Sequence, residues 1–145
     1  MNVLNEKMLL FEEDVRLVEI KEYGFSFKAF MQKRQSLPPE GLQFDIHFEG
    51  KVFGELINGN IVGVDYLTVR SDGRLFLNLH AIITTNDGAR IKVTESGIND
   101  MGTLRLSMNF HTNDARYMWL NQKHVWGVGE VNFETGQVKI KGYQH

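Results

Sequence analysis

The sequence predicts an all-β chain, an antiparallel meander of strands that closes into a barrel. Three observations carry this. From Gly41 onward, short runs rich in Val, Ile, Phe, Thr and Tyr alternate apolar with polar residues. Fourteen glycines against two prolines punctuate these runs as turns. At least seven such runs follow one another through short connections, and a meander of that length usually closes, which removes its exposed edges.

Taken in order, Leu9 to Ile20 fits a helix through Phe11, Val15 and Val18 but also alternates at Val15 and Leu17; it is read as a strand. Met31 to Glu40, with Lys33-Arg34-Gln35 and Pro38-Pro39, reads as a long mobile loop. Phe44, Ile46 and Phe48 alternate with Asp45, His47 and Glu49, and Gly50 closes that strand. Gly63 to Arg70 is the next, turned by Ser71-Asp72-Gly73 into Arg74 to Ile83. There Leu75, Leu77, Leu79, Ala81 and Ile83 share one face, and Asn78, His80 and Thr84 the other. Asn86-Asp87-Gly88 is a tight-turn signal, because these residues tolerate positive φ, and Ala89, Ile91 and Val93 continue the hairpin. Leu104, Leu106, Met108 and Phe110 mark a further strand, and Glu134-Thr135-Gly136 joins Gln122–Phe133 to Gln137–Tyr143 in a last hairpin. Asp114 to Asn121 lacks alternation and is rich in helix formers, so a single helical turn capped by Asn113 or Asp114 is expected near 114–121.

The 145 residues and 16.7 kDa make one domain, 1–145, large enough to bury a core. Sixteen basic against eighteen acidic residues give a net charge of −2, so neither nucleic acid nor an anionic membrane is the expected partner. The absence of cysteine removes disulfides, thiolate metal sites and cysteine nucleophiles. No apolar run reaches the roughly 20 residues of a membrane span. The first residues are polar and do not read as a secretory signal, so the expected location is cytoplasmic.

Motifs for phosphate cradles and nucleophile elbows are missing, and Gly127-Val128-Gly129 is only a fragment of a dinucleotide fingerprint, placed in a strand. Asp45, His47 and Glu49 share a strand face and could recruit His80, His111 or His124, but no metal-specific spacing occurs, so neither metal nor cofactor is expected. Arg116, Tyr117, Trp119 and Asn121, with Trp126 beyond, combine a guanidinium, flat rings and an amide. They either form a ligand pocket or belong to a short helix that plugs one barrel end, with Arg116 pairing with Asp65 or Asp87. Asn78 and His80 line the interior if their face is inward, which would make His80 a proton-transfer residue. Asp65, in an otherwise apolar run, is either a paired strut or a poised acid or base.

Gly63-Val64-Asp65-Tyr66, Val69 to Gly73, Thr84 to Ala89, Arg116 to Asn121 and Val125 to Gly129 occur in this order in one family. The chain, over about 41–143, resembles that uncharacterised bacterial and fungal family of small domains of unknown function. The resemblance implies a calycin-like β-barrel and transfers no activity. It adds weight to Asp65, Asp87, Arg116, Tyr117, Trp119 and Asn121 as a group. Tyr66 stands where Trp is usual and Asn86 where Asp is usual, which implies a less polar ligand if those positions touch one.

Three functions compete. The first is a binding barrel for a partly aromatic organic acid, held by Arg116, stacked on Tyr117, Trp119 and Trp126, and oriented by Asn78 and His80, in a cavity of ~300 to 1,000 Å³. The second is a metal-free isomerase, cyclase or hydrolase with Asp65 or His80 as base and Tyr117 or Arg116 stabilising developing charge. A closed Asp65–Arg116 pair would defeat it. The third is an interaction protein without a ligand. A homodimer is the expected assembly.

Overall fold

In the computed structural model, which describes residues 8–32 and 36–144, eight antiparallel strands close into a barrel in chain order. They are β1 (Leu9–Glu22), β2 (Leu42–Phe53), β3 (Gly59–Val69), β4 (Leu75–Thr85), β5 (Arg90–Asp100), β6 (Thr103–His111), β7 (Val125–Asn132) and β8 (Gln137–Gln144). A one-turn helix α1 (Phe27–Met31) lies in the β1–β2 connection, and a 3₁₀ helix, Met118–Gln122, in the β6–β7 connection. β1 pairs with both β2 and β8, so no strand edge is left open.

The inward positions follow the predicted period of two. Odd residues face the interior on β3, β4, β5 and β7, and even ones on β6 and β8. The ambiguous N-terminal segment is a strand, kept in phase by irregularities between Leu9 and Phe11 and between Leu17 and Glu19. The turn at Asn86-Asp87-Gly88 forms as expected: Gly88 has φ +91° and donates to the Thr85 carbonyl, while Thr85 donates to the Ala89 carbonyl.

Several boundaries move. Gly50 does not close β2, which runs through it to Phe53; a Cβ there would lie 2.1 Å from the Asp14 carbonyl oxygen, so Gly50 permits the close approach to β1. The helical turn begins at Met118 rather than at Asp114. Its N-cap is Tyr117 without a side-chain cap, because the Asp114 carboxylate is engaged by the Arg116 backbone N–H and guanidinium. β7 accordingly starts at Val125 and not at Gln122. In the loop expected over Met31–Glu40, residues 33–35 lie outside the described residues, and Met31 closes α1.

The two ends of the barrel differ. At the end that carries the 3₁₀ helix, Leu120 and Ile57 are fully buried over Ile61, Ile83 and Ile91, and Phe11 packs edge-on against Phe110 at 5.7 Å. At the opposite end α1 brings Phe27 and Phe30 over Phe44, with centroids 5.1 and 6.0 Å away. Beneath them the core is not filled.

Candidate active site

A cavity of about 180 Å³ occupies the α1 half of the barrel. Its wall is apolar, from Val15, Leu17, Ile46, Leu77, Leu104 and neighbouring side chains, with Phe27 and Phe30 at the mouth. Three polar side chains interrupt it: Glu13, Asp65 and, near the rim, Asn99. No Lys, Arg or His is among the residues that line it.

The buried carboxyls come from widely separated strands: Glu13 and Asp65 line the cavity, and Glu95 is buried outside its lining. Asp65 on β3 and Glu95 on β5 are both inward and both flank Leu79 of β4. Glu13 enters from β1, on the far side of the ring, between Val52 and Ile140. Glu13 is 2% exposed, Glu95 1% and Asp65 8%. An ionised carboxylate at such a depth is costly unless donors surround it. Among the described residues, no donor reaches either oxygen of Glu13 or Glu95. The two carboxyls instead act on each other, so that they titrate as a pair and both being ionised at once is disfavoured.

Burial pushes Glu13 up to about 7, against the opposing influence of the neighbouring Glu95 carboxyl. Glu95 is held well above the ordinary carboxylate range by burial first and then by repulsion from Glu13. Asp65 also rises to about 7 through burial, and the hydrogen bond from the Asn78 backbone works the other way. That bond, Asn78 N to Asp65 Oδ1 at 3.0 Å, lies where the β3–β4 pairing is interrupted, between Asp65↔Leu79 and Thr68↔Phe76. The side chain of Asp65 thus takes over a backbone partner and is fixed in direction.

Arg116 is not paired with Asp65. It grips the Asp114 carboxylate through Nε at 3.0 Å and Nη2 at 2.9 Å, and donates from Nη1 to the Asp87 carbonyl oxygen at 2.9 Å. Tyr117 donates to both Asp87 carboxylate oxygens, at 3.0 and 2.9 Å, and Thr85 donates to Oδ1. Trp119 Nε1 bonds to the Arg116 carbonyl at 3.1 Å, and Asn121 brackets Thr112 by accepting from its N–H and donating to its carbonyl. The Arg116 hydrogen bonds bring the Asp114 carboxyl down to about 2, and those from Thr85 and Tyr117 lower Asp87.

Asp87, Arg116, Tyr117, Trp119 and Asn121 therefore do assemble, as a hydrogen-bonded plug at the end away from the cavity, whose wall they do not line. Asn78 and His80 are corrected as well. They occupy even positions of β4 and face outward, where His80 Nε2 lies 3.1 Å from Asn78 Oδ1 and Tyr66 packs edge-on against the imidazole. Trp126 is outward on β7, beside His124. Of the expected acid or base candidates Asp65, His80 and Tyr117, Asp65 alone reaches the cavity. On β2, Asp45 accepts from Tyr23 and Glu49 pairs with Arg16; no trio of His, Asp or Glu among the described residues is arranged to hold a metal ion.

The reading of the sequence missed Glu13 and Glu95. The signal was present: extending Ile91 and Val93 by two puts Glu95 inward, and Glu13 sits in phase between Phe11 and Val15.

Residues 39–103 match the model of a family described as "Protein of unknown function (DUF3237)". That stretch, from the β2 approach into β6, contains Asp65, Glu95 and the plug's Asp87, but not Glu13 or the Arg116–Asn121 segment. It accords with the resemblance to a domain family of unknown function. A Penicillium herquei protein named "Hydroalkoxylation enzyme phnH" is 34% identical over 89 residues, 58% of this chain, and the chain spans 57% of that relative's length. Solved structures share the fold. A "beta-barrel like protein" from Acinetobacter baumannii AYE superposes with a TM-score of 0.77 at 21% identity, over 94% of this chain and 92% of that one. "An enzyme from Penicillium herquei" gives 0.71 at 23% identity, over 93% and 91%.

Proposed function

We propose that this barrel is a metal-free acid–base catalyst for an uncharged, largely apolar small molecule held in the interior cavity, with Asp65 and Glu13 as the proton-transfer groups. The observation that carries it is the convergence of buried carboxyls on the floor of an otherwise apolar cavity. Carboxyls whose titration is moved to about 7 supply both a proton donor and a proton acceptor near neutral pH. An organic-acid ligand is disfavoured, because the cavity wall offers its carboxylate no cation and presents carboxyls instead.

The name of the Penicillium herquei relative suggests the reaction class, addition of an alcohol O–H across a carbon–carbon double bond. In that step one protonated carboxyl, assigned to Asp65, delivers its proton to one alkene carbon. The hydroxyl oxygen bonds to the other carbon, and its proton passes to the second carboxyl, ionised Glu13. One C–O and one C–H bond form, the O–H bond and the π bond break, and no oxidant or reductant is needed. The Glu13–Glu95 pair then returns the proton.

The test uses 2-prenylphenol, which carries both reacting groups, with product formation followed by chromatography. The wild-type chain is expected to give the cyclic ether, and Asp65→Asn to lose about 100-fold or more while remaining folded. Turnover that survives Asp65→Asn, or none in the wild type, refutes the reading. Binding of the probe without turnover in either protein favours the binding-barrel alternative.

A further inference from the structure

The cavity is too small for much more than one ring. At about 180 Å³ it compares with an engineered apolar cavity of about 150 Å³ that accepts benzene. Yet it is not isolated. Phe30, Met31, Leu75, Asn99 and Phe133 line both this cavity and a groove of about 810 Å³ on the outer side of the rim. The groove runs from α1 across the β3–β4 turn, the start of β4 and the end of β5, over Leu37, Phe76, Ile98 and Met101. Phe76 and Ile98 are paired across β4 and β5 and are each 37% exposed, and Met101, in the β5–β6 turn at φ 53°, is 94% exposed. The charges beside them are already engaged: Asp72 lies between Arg70 at 3.8 Å and Arg74 at 3.7 Å, and Asp100 is 3.6 Å from Arg105. An uncharged chain lying there would bury apolar surface without separating an ion pair.

We propose that this groove is a second subsite for the same molecule, so that the substrate class is an elongated lipophile whose ring-sized reacting end enters the cavity while an uncharged apolar extension leaves through the rim and lies against Phe76, Ile98 and Met101. This rests on the reading that the cavity binds a small molecule. The rim residues belong to both spaces, and the volume mismatch supplies the reason for a molecule to use both. Ile98 and Met101 then set specificity for the extension without touching the reacting atoms.

The experiment titrates phenol, 4-butylphenol and 4-octylphenol into the full chain, its methionine methyls labelled with ¹³C, by calorimetry and NMR. Affinity is expected to keep rising from butyl to octyl by about 2- to 4-fold per methylene. 4-Octylphenol is expected to shift the Met31 and Met101 methyls, while Met118 at the plugged end stays still. Ile98→Asp and Met101→Asp should leave phenol affinity unchanged and abolish most of the chain-length gain. Affinity that stops rising beyond butyl, an unshifted Met101 methyl, or a chain-length gain retained in both variants overturns the subsite. Absence of binding by every probe overturns the cavity reading beneath it as well.

Discussion

Glu95 is the residue at which burial and charge are most opposed. It is 1% exposed, its oxygens meet no donor among the described residues, and it faces Glu13 across the barrel. Replacing it with Gln removes a buried ionisable group and gives Glu13 an amide donor. Glu95→Gln is therefore expected to raise stability at pH 8 by about 1–3 kcal/mol, checked by urea unfolding. Glu13 should then titrate lower, which ¹³C-carboxyl NMR reads directly. At the plug, Tyr117→Phe takes one donor from Asp87, and Asn121→Ala frees a backbone N–H and carbonyl of the buried Thr112. Losses of about 1 kcal/mol and about 1–3 kcal/mol are expected by chemical denaturation, with turnover of the cavity probe unchanged. A large loss of turnover in Tyr117→Phe would return that residue to the catalytic candidates.

Among the elements, β4 was the most legible. Apolar residues at every odd position from Leu75 to Ile83, with an Asn-Asp-Gly turn behind them, specify both faces and the hairpin, and both form. What alternation does not specify is which side is inside, and that matters for His80 and Asn78: the greasier face won the interior. The apolar face of β5 was read only to Val93, because Glu95 breaks the apolar series two residues on. β1 was ambiguous for a related reason, since its bulges shift the period and Glu13 interrupts its apolar face. α1 went unread because its Phe27 and Phe30 form no stripe long enough to register; Ser26 caps it by accepting from the Ala29 N–H. The Arg116–Asn121 segment was recognised as distinctive, but its hydrogen bonds close on themselves.

For the whole molecule, the acid cluster sets the direction of pH dependence. Glu13 moves from 4.5 to about 7 on folding and Asp65 from 3.8 to about 7. Between those limits the folded chain keeps protons that the unfolded chain has released, so stability falls as pH rises from about 4 to 7 and levels above. The drop is on the order of 3 kcal/mol for each carboxyl. Asp114, lowered to about 2, acts oppositely, and its share is lost only in stronger acid. The melting temperature is thus expected to be highest near pH 4 and lower at pH 8, and Glu95→Gln to flatten that slope; a melting temperature that climbs steadily to pH 8 contradicts the buried cluster. By itself the sequence determined the strands, the turns and the antiparallel closure, because these rest on local periodicity and on glycine's access to positive φ. Only the tertiary structure decided the site. A carboxylate on β1 and another on β5 are 82 residues apart, and nothing local to either records that barrel closure buries them together in the interior.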